Sequence, residues 1–271
     1  MKILVTNDDG VDSPGLWEMV GALKDLGEVV VAAPDREQSG IGTATTLLEV
    51  VKAREVDTPP VEGVHAYAVE GTPADCAILA IEQLSPGGFD IVLSGINAGS
   101  NLGLDLFASG TVGGAFQGYF RGIPSIAVSV ASLTNVQHKA GAAAAASLAR
   151  AITANEGMPP LFLNVNLPNA SVADIKGAEM TNLGPRLYLE TVERGSNGRW
   201  TYYWIKHNRF VNPPTPADSD IHAVRNNRIA ITALNSVLQP GVKLPSLQYL
   251  ADGVVSDLGL ASEATANQVS E

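Results

Sequence analysis

The sequence predicts an α/β protein: a mostly parallel β-sheet covered by helices on both faces, with a β-hairpin projecting from it. Three observations carry this prediction. Short, largely apolar runs recur at Ile3–Thr6, Val29–Ala33, Ile91–Leu93 and Ser125–Val130, with helical patterns between them. Strands that are apolar on both sides belong to sheets buried on both faces. The loops after these runs are rich in Gly, Ser, Thr and Asn, and from about Thr181 to Asp220 aromatic and β-branched segments interrupt the pattern.

The elements follow in chain order. Ile3–Thr6 reads as a short buried strand. Ser13 offers an N-cap and Pro14 a first helical residue; Leu16, Met19, Val20 and Leu23 follow at helical spacing, with Gly27 as the stop. Val29–Ala33 is a second strand, closed by Pro34. Thr72-Pro73-Ala74-Asp75 opens another helix, with Asp75 placed to satisfy free N–H groups of its first turn. Ile91–Leu93 and Ser125–Val130 are strands separated by a helix from about Val112 to Arg121, and Leu161–Leu167 and Arg228–Leu234 are later strands. Arg186–Glu193 and Arg199–His207 pair as a hairpin through a turn at Gly195-Ser196-Asn197-Gly198, ahead of the cluster Pro213-Pro214-Thr215-Pro216. The expected organisation is one α/β domain over residues 1–260, with residues 180–220 as a hairpin and loop extension inside it. A polar tail, 261–271, is expected to be disordered.

Bulk properties narrow the function. Of 271 residues, 45% are hydrophobic and 17% charged, which describes a soluble globular chain with an ample core. The net charge is −11 and the 17 Lys and Arg are scattered, which argues against a nucleic-acid surface. Acidic residues follow MKILVTN before a signal-peptide hydrophobic region could form, and the alanine-rich stretch Ala140–Ala154 is too short to span a bilayer. A single cysteine, Cys76, excludes an internal disulfide. A cytoplasmic protein without a membrane partner is the expectation.

In parallel sheets ligands bind outside the carboxyl ends of the strands. That rule selects the loops 7–15, 34–46 and 94–111. The first holds Asn7, Asp8 and Asp9 ahead of Gly10. Neighbouring strand residues point to opposite faces, so the two aspartates converge only where the chain turns. One reading is that Asp9 or Asp12 caps the next helix; the other is that the pair holds a hard cation. The second loop carries Ser39, and the third carries Asn97, Asn101 and Asp105. Asn and Ser oxygens with carboxylates suit Mg²⁺ or Mn²⁺ rather than zinc. Ser109-Gly110-Thr111 then opens a helix, a position that serves either as a simple N-cap or as a phosphate site. The paired Gly113 and Gly114 weaken that helix by about 1 kcal/mol each and imply close approach of a neighbour or a ligand. The chain contains no GxGxxG after the first strand, no GxxxxGK[ST] and no HExxH, and its histidines are scattered with no metal-binding cluster, so dehydrogenase and P-loop readings fall away.

In this order, NDDG with DSPG, APDREQSG, GTPADC, SGIN with NLG, and SGTVGGA resemble the survival protein SurE family of metal-dependent nucleoside monophosphate phosphatases. The likeness runs from Met1 to about Val130 and resumes more weakly at NVNLP, SDIHAV and IAITAL. The resemblance implies a three-layer α/β/α Rossmann-like fold and hydrolysis of nucleoside 5′- and 3′-monophosphates by metal-assisted attack of water. It implies one divalent ion per subunit, Mg²⁺ or Mn²⁺, held by Asp8, Asp9, Ser39 and Asn97. Asp8, Asp9 and Asn97 would be catalytic, and Asn101, Ser109, Gly110 and Thr111 would bind the phosphate. It also implies a homodimer or homotetramer built through the hairpin and exchanged carboxyl-terminal segments. Leu104, Ala108, Gln117 and Ala233 depart from the family's common residues, and none is at an implied ligand position. The rival from another class is a non-catalytic nucleotide-binding regulator using the same loops.

Overall fold

The structure is a computed structural model that describes residues 1–155, 158–238 and 244–260; the expected tail lies outside them. Its strands are β1 (Lys2–Thr6), β2 (Glu28–Pro34), β3 (Ala53–Glu55), β4 (His65–Val69), β5 (Ile91–Ala98), β6 (Ser125–Val130), β7 (Phe162–Leu167), β8 (Ala178–Thr181), β9 (Tyr188–Ser196), β10 (Thr201–Phe210) and β11 (Ile229–Ala233). The helices are α1 (Pro14–Leu23), α2 (Pro73–Leu79), α3 (Gly110–Phe120), α4 (His138–Thr153), α5 (Asp220–Arg225), α6 (Asn235–Leu238) and α7 (Gln248–Asp257).

Among the described residues nine strands form one sheet in the order β3-β4-β2-β1-β5-β6-β7-β11-β8. The run from β4 to β7 is parallel; β3 and β11 pair antiparallel with β4 and β7. The side-chain period of two explains why the central strands read as unbroken apolar runs. Ile3 and Val5 of β1 pack with Leu16, Met19, Val20 and Leu23 of α1 and with α4 and α7. Leu4 between them packs on the other face, with Val30, Ala32, Val92 and Cys76 of α2. Helices on both faces make three layers, as expected. Cys76 is fully buried in the second layer.

The chain moves outward from β1 through β2 and β4, then crosses back to β5 on the other side of β1 and continues to β6 and β7. The reversal of direction between β1 and β5 is the topological switch point, where a crevice opens at the carboxyl edge of a parallel sheet.

Several expectations change on contact with the structure. The strand expected at Ile91–Leu93 continues to Ala98, because β5 carries one extra residue against β6: Ser94 pairs with Ala127, but Asn97 pairs with Ser129. That bulge inverts the alternation. Ile96 joins Ile91 and Leu93 in the same core layer, and the adjacent Asn97 turns to the other side. The hairpin turn lies two residues later than expected. Ser196 and Thr201 are paired, Asn197 Oδ1 accepts from Trp200 N at 3.0 Å, and Gly198 adopts φ +88°. Strands β3, β4 and β8 and helices α4, α5, α6 and α7 had no counterpart in the sequence reading. The helix start at Thr72 is as expected, a capping box in which Asp75 N–H donates to Thr72 Oγ1 and Thr72 N–H donates to Asp75 Oδ2, at 3.1 and 2.9 Å.

Candidate active site

At the switch point the loop after β1 meets the end of β5 and the start of α3. At the end of β1 the chain turns through Gly10 at φ +97°, where a Cβ would lie 3.3 Å from the carbonyl carbon of Arg36. Asn7 spans the turn, its Nδ2 donating to Gly10 O at 2.9 Å, and leaves its own Oδ1 buried without a protein partner. Because the strand has ended, Asp8 and Asp9 diverge without leaving the crevice. Asp8 faces the start of α3, where Thr111 Oγ1 donates to its Oδ1 at 2.6 Å. Asp9 faces the end of β5, where Ala98 N donates to its Oδ2 at 3.2 Å. Neither aspartate caps α1. Ser13 occupies the N-cap position, but its side chain makes no cap hydrogen bond.

The second loop folds over this pair. Gln38 N donates to Asp8 O at 2.8 Å and Gly42 N to Ala108 O at 3.0 Å, so residues 38–42 bridge β1 and the entry to α3. Ser39 is exposed on this bridge and donates through Oγ to Glu37 Oε1 at 2.9 Å. From β5, Asn97 donates its Nδ2 to Gly99 O at 2.7 Å, which turns its carbonyl oxygen away from that contact.

Helix α3 comes unusually near the sheet because its inner face is glycine. A Cβ on Gly110 would lie 2.8 Å from Asp8 Cβ, and one on Gly114 would lie 2.9 Å from Thr6 Cγ2. The paired glycines that weaken the helix are therefore explained by packing against its neighbours. Ser109 is a genuine N-cap, its Oγ accepting from Val112 N at 3.2 Å. Its hydroxyl is engaged, while the first amides of the helix have no partner within it. Thr111 differs from the expectation in one respect: its hydroxyl is committed to Asp8, so it orients a carboxylate as well as opening the helix.

Asn101 lies beside this cluster, held by a platform that the sequence reading missed. Asn164 and Asn166 of β7, both fully buried on one face of the strand, converge on its peptide. Asn101 N donates to Asn166 Oδ1 at 2.8 Å, and Asn164 Nδ2 and Asn166 Nδ2 donate to Asn101 O at 2.8 and 3.1 Å. Asn101 Nδ2 itself donates to Ser129 Oγ at 2.9 Å. The i, i+2 spacing of the two asparagines in an apolar strand was the available signal. Asp105, grouped by sequence with the possible metal oxygens, is elsewhere: it accepts from Arg186 Nε at 3.0 Å, Leu187 N at 2.9 Å and Tyr188 N at 3.1 Å, anchoring the hairpin root. Asp220 completes that anchor by accepting from Gly103 N and Gly184 N at 2.7 and 2.8 Å.

Electrostatically the crevice is under-compensated. Burial pushes the Asp8 carboxyl above its ordinary range, against the opposing pull of the Thr111 hydroxyl. Asp9 is pushed up to about 6, by burial first and then by the neighbouring Asp8 charge. Among the described residues no three His, Cys, Asp or Glu side chains gather closely enough to form a metal cage. The donors available here are instead two carboxylates, a hydroxyl and an amide oxygen. Buried, mutually repelling carboxylates with neutral oxygens beside them fit a hard divalent cation.

The family described as survival protein SurE matches residues 3–190 of the chain. A Dehalococcoides mccartyi protein named 5′-nucleotidase SurE is 44% identical over 240 residues, 88% of this chain and 90% of its own. A protein of the same name from Aquifex aeolicus is 40% identical over 256 residues, 92% and 98% of the two chains. The crystal structure of a SurE protein from Aquifex aeolicus superposes with a TM-score of 0.72, covering 86% of this chain and 93% of that one.

Proposed function

The chain belongs to the survival protein SurE family, and on that premise we propose that it is a phosphomonoester hydrolase that releases phosphate from nucleoside 5′- and 3′-monophosphates. The observation that carries the proposal is the placing of two adjacent carboxylates at the switch point of the sheet, Asp8 tied to Thr111 at the start of α3 and Asp9 tied to Ala98, next to Asn97, at the end of β5. One divalent cation per subunit, Mg²⁺ or Mn²⁺, would be held by Asp8, Asp9, Asn97 and Ser39. Bound there, it would polarise the phosphoryl group and acidify the attacking water.

The protein's own contribution is positional and electrostatic. The Thr111 hydroxyl and the short approach at Gly110 hold Asp8 rigid; Asp9 is tied to β5 through Ala98. The amino terminus of α3, with the positive end of its dipole, favours the equatorial oxygens of a phosphate, with Asn101 beside it. The aromatic hairpin supports assembly as a homodimer or homotetramer. No helix among the described residues is long and apolar enough to cross a membrane, and the proposed setting is the cytoplasm.

The direct test is phosphate release from 5′-AMP, 5′-GMP and 3′-AMP with Mn²⁺, Mg²⁺ or excess chelator. Turnover should require the metal, disappear on chelation and return on adding either ion. Asp8→Asn and Asp9→Asn should lose nearly all turnover while retaining the folded circular-dichroism spectrum. Full activity in metal-free chelator would sink the mechanism. Nucleotide binding without phosphate release would point to a regulator instead.

A further inference from the structure

Ser39 differs from the other oxygens proposed to meet the cation. A hydroxyl carries one proton and two lone pairs on a freely turning bond, and it can offer a lone pair to a cation only when its proton is directed elsewhere. In this structure the proton is directed to Glu37, whose Oε1 accepts from Ser39 Oγ at 2.9 Å. Both side chains are exposed. A hydrogen bond in that setting contributes little to folding, so any consequence of the contact lies in what it does to Ser39.

The surrounding backbone holds the pair beside the crevice. Asp35 N donates to Val69 O and Gln38 N to Asp8 O, both at 2.8 Å, so the segment carrying Glu37 is pinned on either side. The Arg36 backbone rests against the Gly10 turn. Glu37 is close enough that its charge helps to raise both Asp8 and Asp9.

We infer that Glu37 is a positioning residue for the divalent cation: by holding the Ser39 proton it presents the Ser39 lone pairs to the space bounded by Asp8, Asp9 and Asn97. Glu37 acts through Ser39 and is not itself a ligand. The inference rests on the metal-assisted function proposed above.

The test is calorimetric titration of Mn²⁺ into the metal-stripped full-length protein, which reads binding without turnover. Glu37→Ala should weaken Mn²⁺ binding by about tenfold, the lower end of the range for residues that orient metal ligands, with an unchanged metal-free melting temperature. Glu37→Gln keeps a carbonyl oxygen to accept the Ser39 proton and should recover most of the affinity. In a Ser39→Ala background, adding Glu37→Ala should cost nothing further. Wild-type affinity in Glu37→Ala overturns the inference. So does Glu37→Gln binding as weakly as Glu37→Ala, or an undiminished Glu37→Ala effect in the Ser39→Ala background. A wild-type protein that binds no Mn²⁺ overturns this inference and the metal-assisted function together. Where wild type binds Mn²⁺ and Asp8→Asn abolishes that binding, the function stands, and a failure of the Glu37 variants then counts against the role of Glu37 alone.

Discussion

A single buried amide can matter as much as a catalytic group when it holds a loop by its backbone. Asn166 both accepts from Asn101 N and donates to Asn101 O, so Asn166→Leu removes two contacts and leaves a partly buried N–H without its acceptor. An orphaned buried donor costs about 1–3 kcal/mol. The melting temperature should fall by several degrees, and kcat/KM for 5′-AMP should fall with it because Asn101 loses its seat. Unchanged values by differential scanning calorimetry and by phosphate release would show that the loop is held by other means. The prominence of Asp8, Asp9 and Asn97 was legible in the sequence because adjacent carboxylates after a strand have few structural uses. Asn164 and Asn166 were not singled out, because their partner lies more than 60 residues away in the chain. The same limit hid the link between Thr111 and Asp8, 103 residues apart, which makes the residue proposed for phosphate binding also a support for a carboxylate.

At the scale of elements, α3 sets two effects against each other. Gly→Ala inside a helix gains about 1 kcal/mol from propensity. At Gly113, however, a Cβ would lie 2.2 Å from Gly42 O, a backbone atom that cannot rotate away. Forcing extra volume into a packed contact costs about 1–3 kcal/mol, so the steric term should win. Gly113→Ala should melt lower than wild type and should lose turnover, since the displaced segment is the bridge carrying Ser39. A rise in melting temperature would mean that propensity decides. The helix itself was legible from its cap and its aromatic residues. Its depth against the sheet was not, because glycine announces close approach without naming the neighbour. Strand β5 makes the same point: SGIN reads as the start of a loop, and only its pairing with β6 reveals the bulge that sends Ile96 and Asn97 to opposite sides. Helix α7, by contrast, left a signal unread: Leu247, Leu250, Ala251 and Val254 recur at helical spacing and are all buried.

For the whole molecule, the hairpin of β9 and β10 poses the largest question. Tyr203, Trp204 and Ile205 are 63%, 63% and 68% exposed on an arm that forms its own two-stranded sheet. Two-stranded ribbons are marginal alone in water, and this much aromatic area in one place marks an interaction surface. The root belongs to the body, since Leu187 is buried with Leu102 and Ile221. A clean excision therefore starts after Tyr188 and ends before Phe210, residues already paired across the ribbon, with a short Asn-Gly linker in between. The excised protein should show a lower assembly state by light scattering, with Mn²⁺ binding retained. A wild-type protein that is monomeric at micromolar concentration would show that the arm has no partner copy.

By itself the sequence determined the class of fold, the succession of its principal strands along the chain and the three loops, rich in oxygen donors, that follow them. These are local quantities: apolar period, turn residues, caps and the identity of side chains next to a strand end. Tertiary structure alone decided which of the oxygens face one another. It sent Asp105 to the hairpin root, tied Thr111 to Asp8 and seated Asn101 on two asparagines of β7. Each of these depends on the packing distance between elements far apart in the chain, and in a parallel sheet that distance is set by the layers of side chains between strand and helix, which no short stretch of sequence encodes.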